Sequence, residues 1–337
     1  MTAAMAVMDA LIDAALGNIL SPLVLSFVLG LVAGLVKSDL DMPEVVGKAI
    51  AIYLMFAIGL KGGVEMGHAG LGLAILPALL AALALSFGMP YIAYPLLRRL
   101  AGADRVNAAA VAAHYGSVSV VTFVAATQML ARDGTGYEGY LVAMLAVMET
   151  PAIIAGLLLA GRALALEGGA MAADGGDRRE LLREVLANGS VMLLVGGFVI
   201  GWVSGSEGYA AVQPFFETPF KGVLCLFLLE MGLLVSRRVS GFQMLRPRLI
   251  AFGLYMPLIG ASLGLAVAWA LGLSVGGGTL LATLAASASY IAVPAAMRLA
   301  LPQADPALYV TLSLGVTFPF NLIAGLPLYA ALARAIL

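Results

Sequence analysis

Ten stretches of nearly continuous apolar residues follow one another along the chain: 20–36, 43–62, 71–97, 104–131, 139–165, 182–204, 214–235, 248–272, 276–301 and 306–334. Short polar, turn-forming runs such as "KSDLDMP", "RRLAGADR", "RDGTGYEG", "SRRVSGFQMLRPR" and "PQADP" separate them. About 20 apolar residues in a helix cross the ~30 Å of hydrocarbon in a bilayer. The runs are continuous rather than alternating, which predicts spanning helices and excludes a membrane β-barrel. The expected fold is an all-α integral membrane protein with about ten transmembrane helices.

The order of the runs repeats. Tyr140 to Gly156 reads "YLVAMLAVMETPAIIAG", and Tyr309 to Gly325 reads "YVTLSLGVTFPFNLIAG". Both go from Tyr to an "IAG" ending over the same length, with a proline between. "AAHYGSVSVVTFVAA" in the fourth run parallels "AASASYIAVPAAM" in the ninth, and the second and seventh runs correspond loosely. A polar, Gly- and Ala-rich piece, "EGGAMAADGGDRRE", reads as a flexible linker. It divides the chain into a first repeat of five helices (1–165), a linker (166–181) and a second repeat of five (182–337). Five is odd, so the second copy enters the membrane from the opposite face. Inverted repeats of this kind are a transporter signature.

Two runs carry polar centres. The fourth contains "HYGSVSVVT" and has 28 residues from Asp104 to Ala131. As one straight helix it would be ~42 Å long, more than the hydrocarbon needs. Gly116 is a weak point in it. The ninth carries Ser287, Ser289 and Tyr290, then Pro294, which lacks a backbone donor and opposes a regular turn. Helices 4 and 9 are therefore expected to be discontinuous, with second halves starting near Ser117–Ser119 and Ser289–Ala292. Each such start presents unpaired N–H groups and about half a positive charge. Two of them facing each other make an anion site without Lys or Arg. Small polar residues also serve plain helix packing, but recurrence in both halves favours a site.

Glu149, in "VMETPAII", is an acid near mid-span, where an unpaired charge costs ~2.5 kcal/mol or more. It suits Na⁺, a transported proton or a structural hydrogen bond. Thr122, Thr150, Thr317 and Asn321 offer the neutral oxygens a hard cation wants, and with Glu149 form the candidate cation-binding set. Glu230 is closer to a helix end, and His114 reads as a packed, hydrogen-bonded side chain.

Composition sharpens this picture. The chain has 337 residues, 62% hydrophobic and only 11% charged, with a mean hydropathy of +1.03. Soluble chains carry roughly 25% charged residues. A net charge of −1 argues against a nucleic-acid partner, and one cysteine, Cys225, cannot form an internal disulfide. The first 20 residues carry two Asp and no Lys or Arg, unlike a cleaved signal. Most Lys and Arg, including Lys37, Arg98, Arg99, Arg105, Arg162, Arg237, Arg238, Arg246 and Arg248, gather on one side of the predicted spans. That side is expected to be cytoplasmic, with both termini outside, in the cell's inner (plasma) membrane. No Ser-His-Asp set, HExxH, CxxC or phosphate loop is present, so no enzyme activity and no cofactor are expected.

At "AAHYGSVSVVTF", "ASASYIAVPAAMRLALP", "LYVTLSLGVTFPFNLIAGLPLY" and "IGLKGG", the chain resembles the sodium-dependent bicarbonate transporter family of the SbtA type. The resemblance implies a homotrimer. It makes helices 1, 2, 6 and 7 a scaffold, and helices 3–5 and 8–10 a mobile core. It places Ser117, Val118 and Ser119 on one side, and Ser287, Ser289 and Tyr290 on the other, at the anion and cation region. With Gly116 these form the candidate substrate-binding set. Members that give the family its name carry an acid where Tyr290 stands, and a phenol is neutral at physiological pH. Those members are also closed from the cytoplasm by a small PII-like protein, an implied partner here. The expected function is sodium-coupled import of bicarbonate or a similar small anion, with sodium as the coupling ion. A sodium- or proton-coupled carrier of a small organic anion is the alternative within transport. An anion-sensing membrane scaffold without flux is the alternative outside it.

Overall fold

A computed structural model describes residues 20–69, 75–166, 189–237, 246–290, 293–294, 297, 301 and 303–337. Among these the regular structure is helical throughout. The helices are α1 (Pro22–Leu35), α2 (Glu44–Ala69), α3 (Ile75–Ala101), α4 (Arg105–Gly116), α5 (Val120–Arg132), α6 (Leu141–Val147) and α7 (Glu149–Leu166). The second part supplies α8 (Gly189–Phe216), α9 (Phe220–Arg237), α10 (Pro247–Leu271), α11 (Val275–Ala286) and α12 (Pro306–Ile336). α12 passes through wide π turns at Thr311–Thr317 and Asn321–Gly325. The linker expected at 166–181 lies, apart from its first residue, outside the described residues.

Among the described residues, six helical runs are long and apolar enough to cross a membrane: Val45–Val64, Ile75–Ala101, Arg105–Arg132, Leu141–Arg162, Pro247–Leu271 and Pro306–Ile336. α8 and α9 meet at a 50° bend and together make a seventh candidate; α1 and α11 are apolar but shorter. Side-chain caps set several of the starts. Ser21 accepts from Val24 N, Asp104 from Asn107 N and Ser274 from Gly277 N. α8 is interrupted at Gly205, whose φ of +60° glycine alone adopts without strain.

The helices pack in two groups. α1 lies along α9 and α2 along α8, and α9 also touches α2. The larger group holds α3, α4, α5, α7, α10, α11 and α12, with α6 reaching across to α2 and α8. Large apolar side chains on α1 and α8, among them Leu29, Val32, Val203 and Trp202, stay exposed. In water such a surface would be costly; against lipid tails it is not. The run Arg105–Arg132 is almost wholly enclosed.

Glycine sets how closely the first group packs. A Cβ at Gly30 of α1 would fall on the carbonyl oxygen of Leu229, and one at Gly232 of α9 on that of Phe27. The α2–α8 pair has the same design, with Gly63 against Phe198 O and Gly201 against Leu60 O. Small residues at such crossings let backbones touch and gain dispersion contacts that lipid cannot match. At the corner after α8, Lys61 bonds Glu217 at 2.9 Å, and that bond holds the Glu217 carboxyl below its usual range.

Gly232→Val and Gly201→Val are each expected to destabilise the protein by about 1–3 kcal/mol through forced helix separation. Gly222→Ala, where a Cβ meets open space, serves as control. Thermal unfolding in detergent should show lower midpoints for the first two and no fall for the control.

Candidate functional site

Two helices stop inside the larger group. α4 ends at Gly116, and Ser117 turns into extended backbone (φ −87°, ψ 169°). α11 ends at Ala286, and Ser287 turns the same way (φ −81°, ψ 163°). Both helices have twelve residues. After three non-helical residues the chain resumes as α5, whose N-cap is Ser119. Its Oγ accepts from Thr122 N at 3.2 Å and from Thr122 Oγ1 at 2.9 Å. After the second interruption, Val293, Pro294 and Met297 are helical again, and Ser289 Oγ accepts from Val293 N at 3.4 Å.

The two interruptions bond to each other. Ser119 N donates to Ser287 Oγ at 2.9 Å, and Ser287 Oγ donates to Leu284 O at 2.8 Å. In return Ser289 N donates to the carbonyl of His114 at 2.8 Å. Each break thus supplies what the other lacks. Backbone groups freed in a low-dielectric interior cost about 1–3 kcal/mol each if left unpaired, so this exchange stabilises both breaks.

Of the residues expected to bind substrate, the structure gathers Ser119, Ser287 and Ser289 through these bonds. Ser117, Val118 and Tyr290 are the flanking residues, all buried. Ser117 Oγ and Tyr290 Oη have no hydrogen-bond partner among the described residues, although the phenol faces Ser119. Gly116, the last residue of α4, also packs on α3. A Cβ there would press on Pro90 and on Ser86 O of α3, so its smallness serves helix contact. In α5 the first N–H groups, those of Val120 and Val121, have no intrahelical acceptor by helix geometry.

The expected cation ligands separate into two kinds. Thr122 sits in the first turn of α5. Glu149 opens α7, is 3% exposed, and has one carboxylate oxygen without a partner among the described residues. The side chain of Thr150 lies outside the described residues. Thr317 and Asn321 are already engaged in the frame. Thr317 Oγ1 donates to Gly253 O at 2.8 Å and lies 2.5 Å from the Tyr115 hydroxyl. Asn321 Nδ2 donates to Ala286 O at 2.9 Å, closing the free end of α11, and its Oδ1 accepts from Tyr329 at 2.7 Å. No hydrogen bond among the described residues joins these two to Glu149. Nor do three His, Cys, Asp or Glu come together there as a metal cluster.

Further residues hold the site in place. His114 is fully buried; Nδ1 bonds Ala110 O at 2.7 Å, and its ring lies 4.6 Å from that of Tyr309. Glu138, ahead of α6, accepts from Ser274 N and Oγ at 2.7 and 3.1 Å, at the start of α11. Asn107, at the start of α4, accepts from Asp305 N at 2.8 Å, ahead of α12. The sequence offered a signal for the first clasp, the acid Glu138 shortly before Tyr140; in the second, Asp305 gives only its backbone N–H, which no residue type marks.

The family model of the Na⁺-dependent bicarbonate transporter superfamily matches residues 22–334. No curated protein matches the chain.

Ser287→Ala removes the acceptor for Ser119 N and is expected to cost about 1–3 kcal/mol. Ser287→Thr, which keeps a hydroxyl there, should recover most of the loss. Thermal or denaturant unfolding of the three proteins checks this ordering.

Proposed function

The chain belongs to the Na⁺-dependent bicarbonate transporter superfamily, and on that premise we propose that it is a secondary active transporter. It imports bicarbonate or a similar small anion together with Na⁺. The anion rests where the breaks meet, against the N–H groups that open α5 and the hydroxyls of Ser117, Ser119 and Tyr290. The mutual bonding of the two interruptions carries this reading. A chain that stops two helices in a buried place, and leaves hydroxyls there without partners, has a polar centre at a depth where packing alone favours apolar side chains.

A lone anion in such a place is costly, and Na⁺ beside it offsets the charge. Glu149 and Thr122, with Thr150, are the residues assigned to Na⁺ on this reading. Thr317 and Asn321 instead fix α12 against α10 and α11. The cargo is then close to neutral when the core group shifts against the α1, α2, α8 and α9 group.

The same reading has ten spans in two inverted copies: α1, α2, α3, α4–α5 and α6–α7, then α8, α9, α10, α11 with the helical residues after it, and α12. Three features support it. The packed pairs α1–α9 and α2–α8 exchange under such a symmetry. So do the segments that the two clasps join, the approach to α6 with the start of α11 and the approach to α12 with the start of α4, although Glu138 accepts and Asp305 donates. The twelve-residue helices α4 and α11 end in the same backbone turn. The Arg-rich side faces the cytoplasm in this arrangement, both termini lie outside in the plasma membrane, and the exposed apolar faces pack in lipid and a homotrimer.

Purified protein in liposomes should take up labelled bicarbonate when a Na⁺ gradient is imposed, and should stop when K⁺ or choline replaces Na⁺. Continued uptake without Na⁺ would move the coupling to protons at Glu149 or His114. A small organic anion that outcompetes bicarbonate would reassign the cargo. Ser119→Phe or Ser289→Phe should abolish uptake while the protein still inserts, and uptake at parental rates by either would remove the site.

A further inference from the structure

Six arginines gather at one face of the larger helix group. Pro90, Gly116, Met148 and Gly260 mark the level of the breaks. A Cβ at Gly116 would press on Pro90, Ser86 Oγ donates to Met148 O at 2.6 Å, and a Cβ at Gly260 would fall on Ala285 O. Counted along each helix from these, Arg98 of α3 lies ~12 Å away, Arg105 of α4 ~16 Å, Arg248 of α10 ~18 Å and Arg162 of α7 ~21 Å. Arg99 follows Arg98, and Arg246 is the N-cap of α10. All six lie on the same side of the breaks. A three-residue turn joins α3 to α4, Gly156 of α7 meets Ala113 and Ala109 on the way to the start of α4, and α10 packs on Leu97–Ala101. Half the hydrocarbon is ~15 Å thick, so these guanidiniums stand at headgroup depth.

Among the described residues none of the six forms an ion pair, and Arg98 donates to Ala103 O at 2.6 Å. The described acids beside them are Asp104 and Asp305, whose carboxylates already accept from helix-start N–H groups. Over all the loops on this side of the chain, Lys and Arg outnumber Asp and Glu. At the far end of the same group, by contrast, Arg132 and Arg334 both bond Asp133. Next to the guanidiniums the surface is apolar and open. Leu158 is exposed one turn before Arg162, and Ile92 two turns before Arg99. Ala251, Leu254 and Leu258 follow Arg248 at helical spacing along the exposed face of α10. A water-soluble acidic partner would cover the charges and leave this apolar belt bare. A phospholipid covers both, with its phosphate on the guanidiniums and its chains along the leucines.

We propose that this arginine face binds the phosphodiester headgroups of anionic phospholipids in the adjoining leaflet. Arg98 and Arg99 at the end of α3, with Arg246 and Arg248 at the start of α10, form its centre, because α10 packs on that end of α3. The planar guanidinium bonds two phosphate oxygens at once and keeps its charge at any physiological pH. A zwitterionic lipid carries the same phosphate but cancels its charge. Binding requires only that this face lie at a membrane surface. One consequence rests on the transport reading: the larger group is the body that shifts, so bound headgroups tie its rim to the membrane plane.

Native mass spectrometry of the purified protein in detergent, with equal amounts of phosphatidylglycerol and phosphatidylcholine added, measures this. Phosphatidylglycerol should be retained in about 10-fold excess, given roughly five-fold for each guanidinium engaged. Arg98→Gln with Arg99→Gln, and Arg246→Gln with Arg248→Gln, should each lower the excess several-fold. Lys61→Gln, which removes an ion pair with Glu217 in the other helix group, should leave it unchanged. Equal retention of the two lipids, or an excess that neither double variant lowers, overturns the proposal. Displacement of the lipid by an equal concentration of inorganic phosphate would assign the face to a free anion, and displacement by poly-glutamate to an acidic protein; either overturns it as well. The measurement involves no flux. A parent protein that retains phosphatidylglycerol but takes up no bicarbonate refutes the transport reading alone, and uptake without lipid preference refutes this proposal alone.

Discussion

A helix interrupted inside hydrocarbon leaves N–H and C=O groups that no bulk water can reach, and such groups must find partners within the protein. This constraint governs the centre of the molecule. α4 and α11 both stop there, and the amide of Ser119 turns to the hydroxyl of Ser287 while the amide of Ser289 turns to the carbonyl of His114. Neither break is tolerable alone at this depth. Together they form one polar knot, and the remaining unpartnered hydroxyls and helix-start amides are what a small anion can use.

Around that knot the two helix groups have different mechanics. The α1–α9 and α2–α8 pairs are drawn into backbone contact by Gly30, Gly232, Gly63 and Gly201, and such crossings resist deformation. The larger group is held by side-chain bonds that fix its broken elements: Thr317 to Gly253, Asn321 to Ala286, Glu138 to Ser274, and Asn107 to Asp305. A rigid frame beside a clasped, polar-centred body suits relative sliding.

The location of the breaks was legible in the sequence because a break in lipid demands residues that apolar spans otherwise avoid. "HYGSVSVVT" and "SASYIAVP" stand out for that reason. The bonding between them was not legible, since the partner of Ser119 lies 168 residues away. Thr317 and Asn321 show another limit: the sequence displays two neutral polar side chains near mid-span, and only packing reveals their bonds to Gly253, Ala286 and Tyr329. Gly116 reads as a weak point of the helix and α4 does end there, while its contact with Pro90 and Ser86 is visible only in the packing. Among the described residues six of the ten apolar runs appear as helical runs of spanning length, while α1 and α11 are shorter helices and α8 and α9 meet at a bend. The family resemblance was legible because two of its stretches sit at these same breaks, with the others in α2 and α12.

The central claim is that a small anion contacts the backbone amides that open α5. Dipolar recoupling by solid-state NMR between ¹³C-labelled bicarbonate and assigned amide nitrogens, in liposomes with Na⁺, measures this directly. Dephasing at Val120 and Val121, absent when Na⁺ is replaced by choline, is the expected result. Bicarbonate bound with Na⁺ present but with no dephasing at either amide would contradict it.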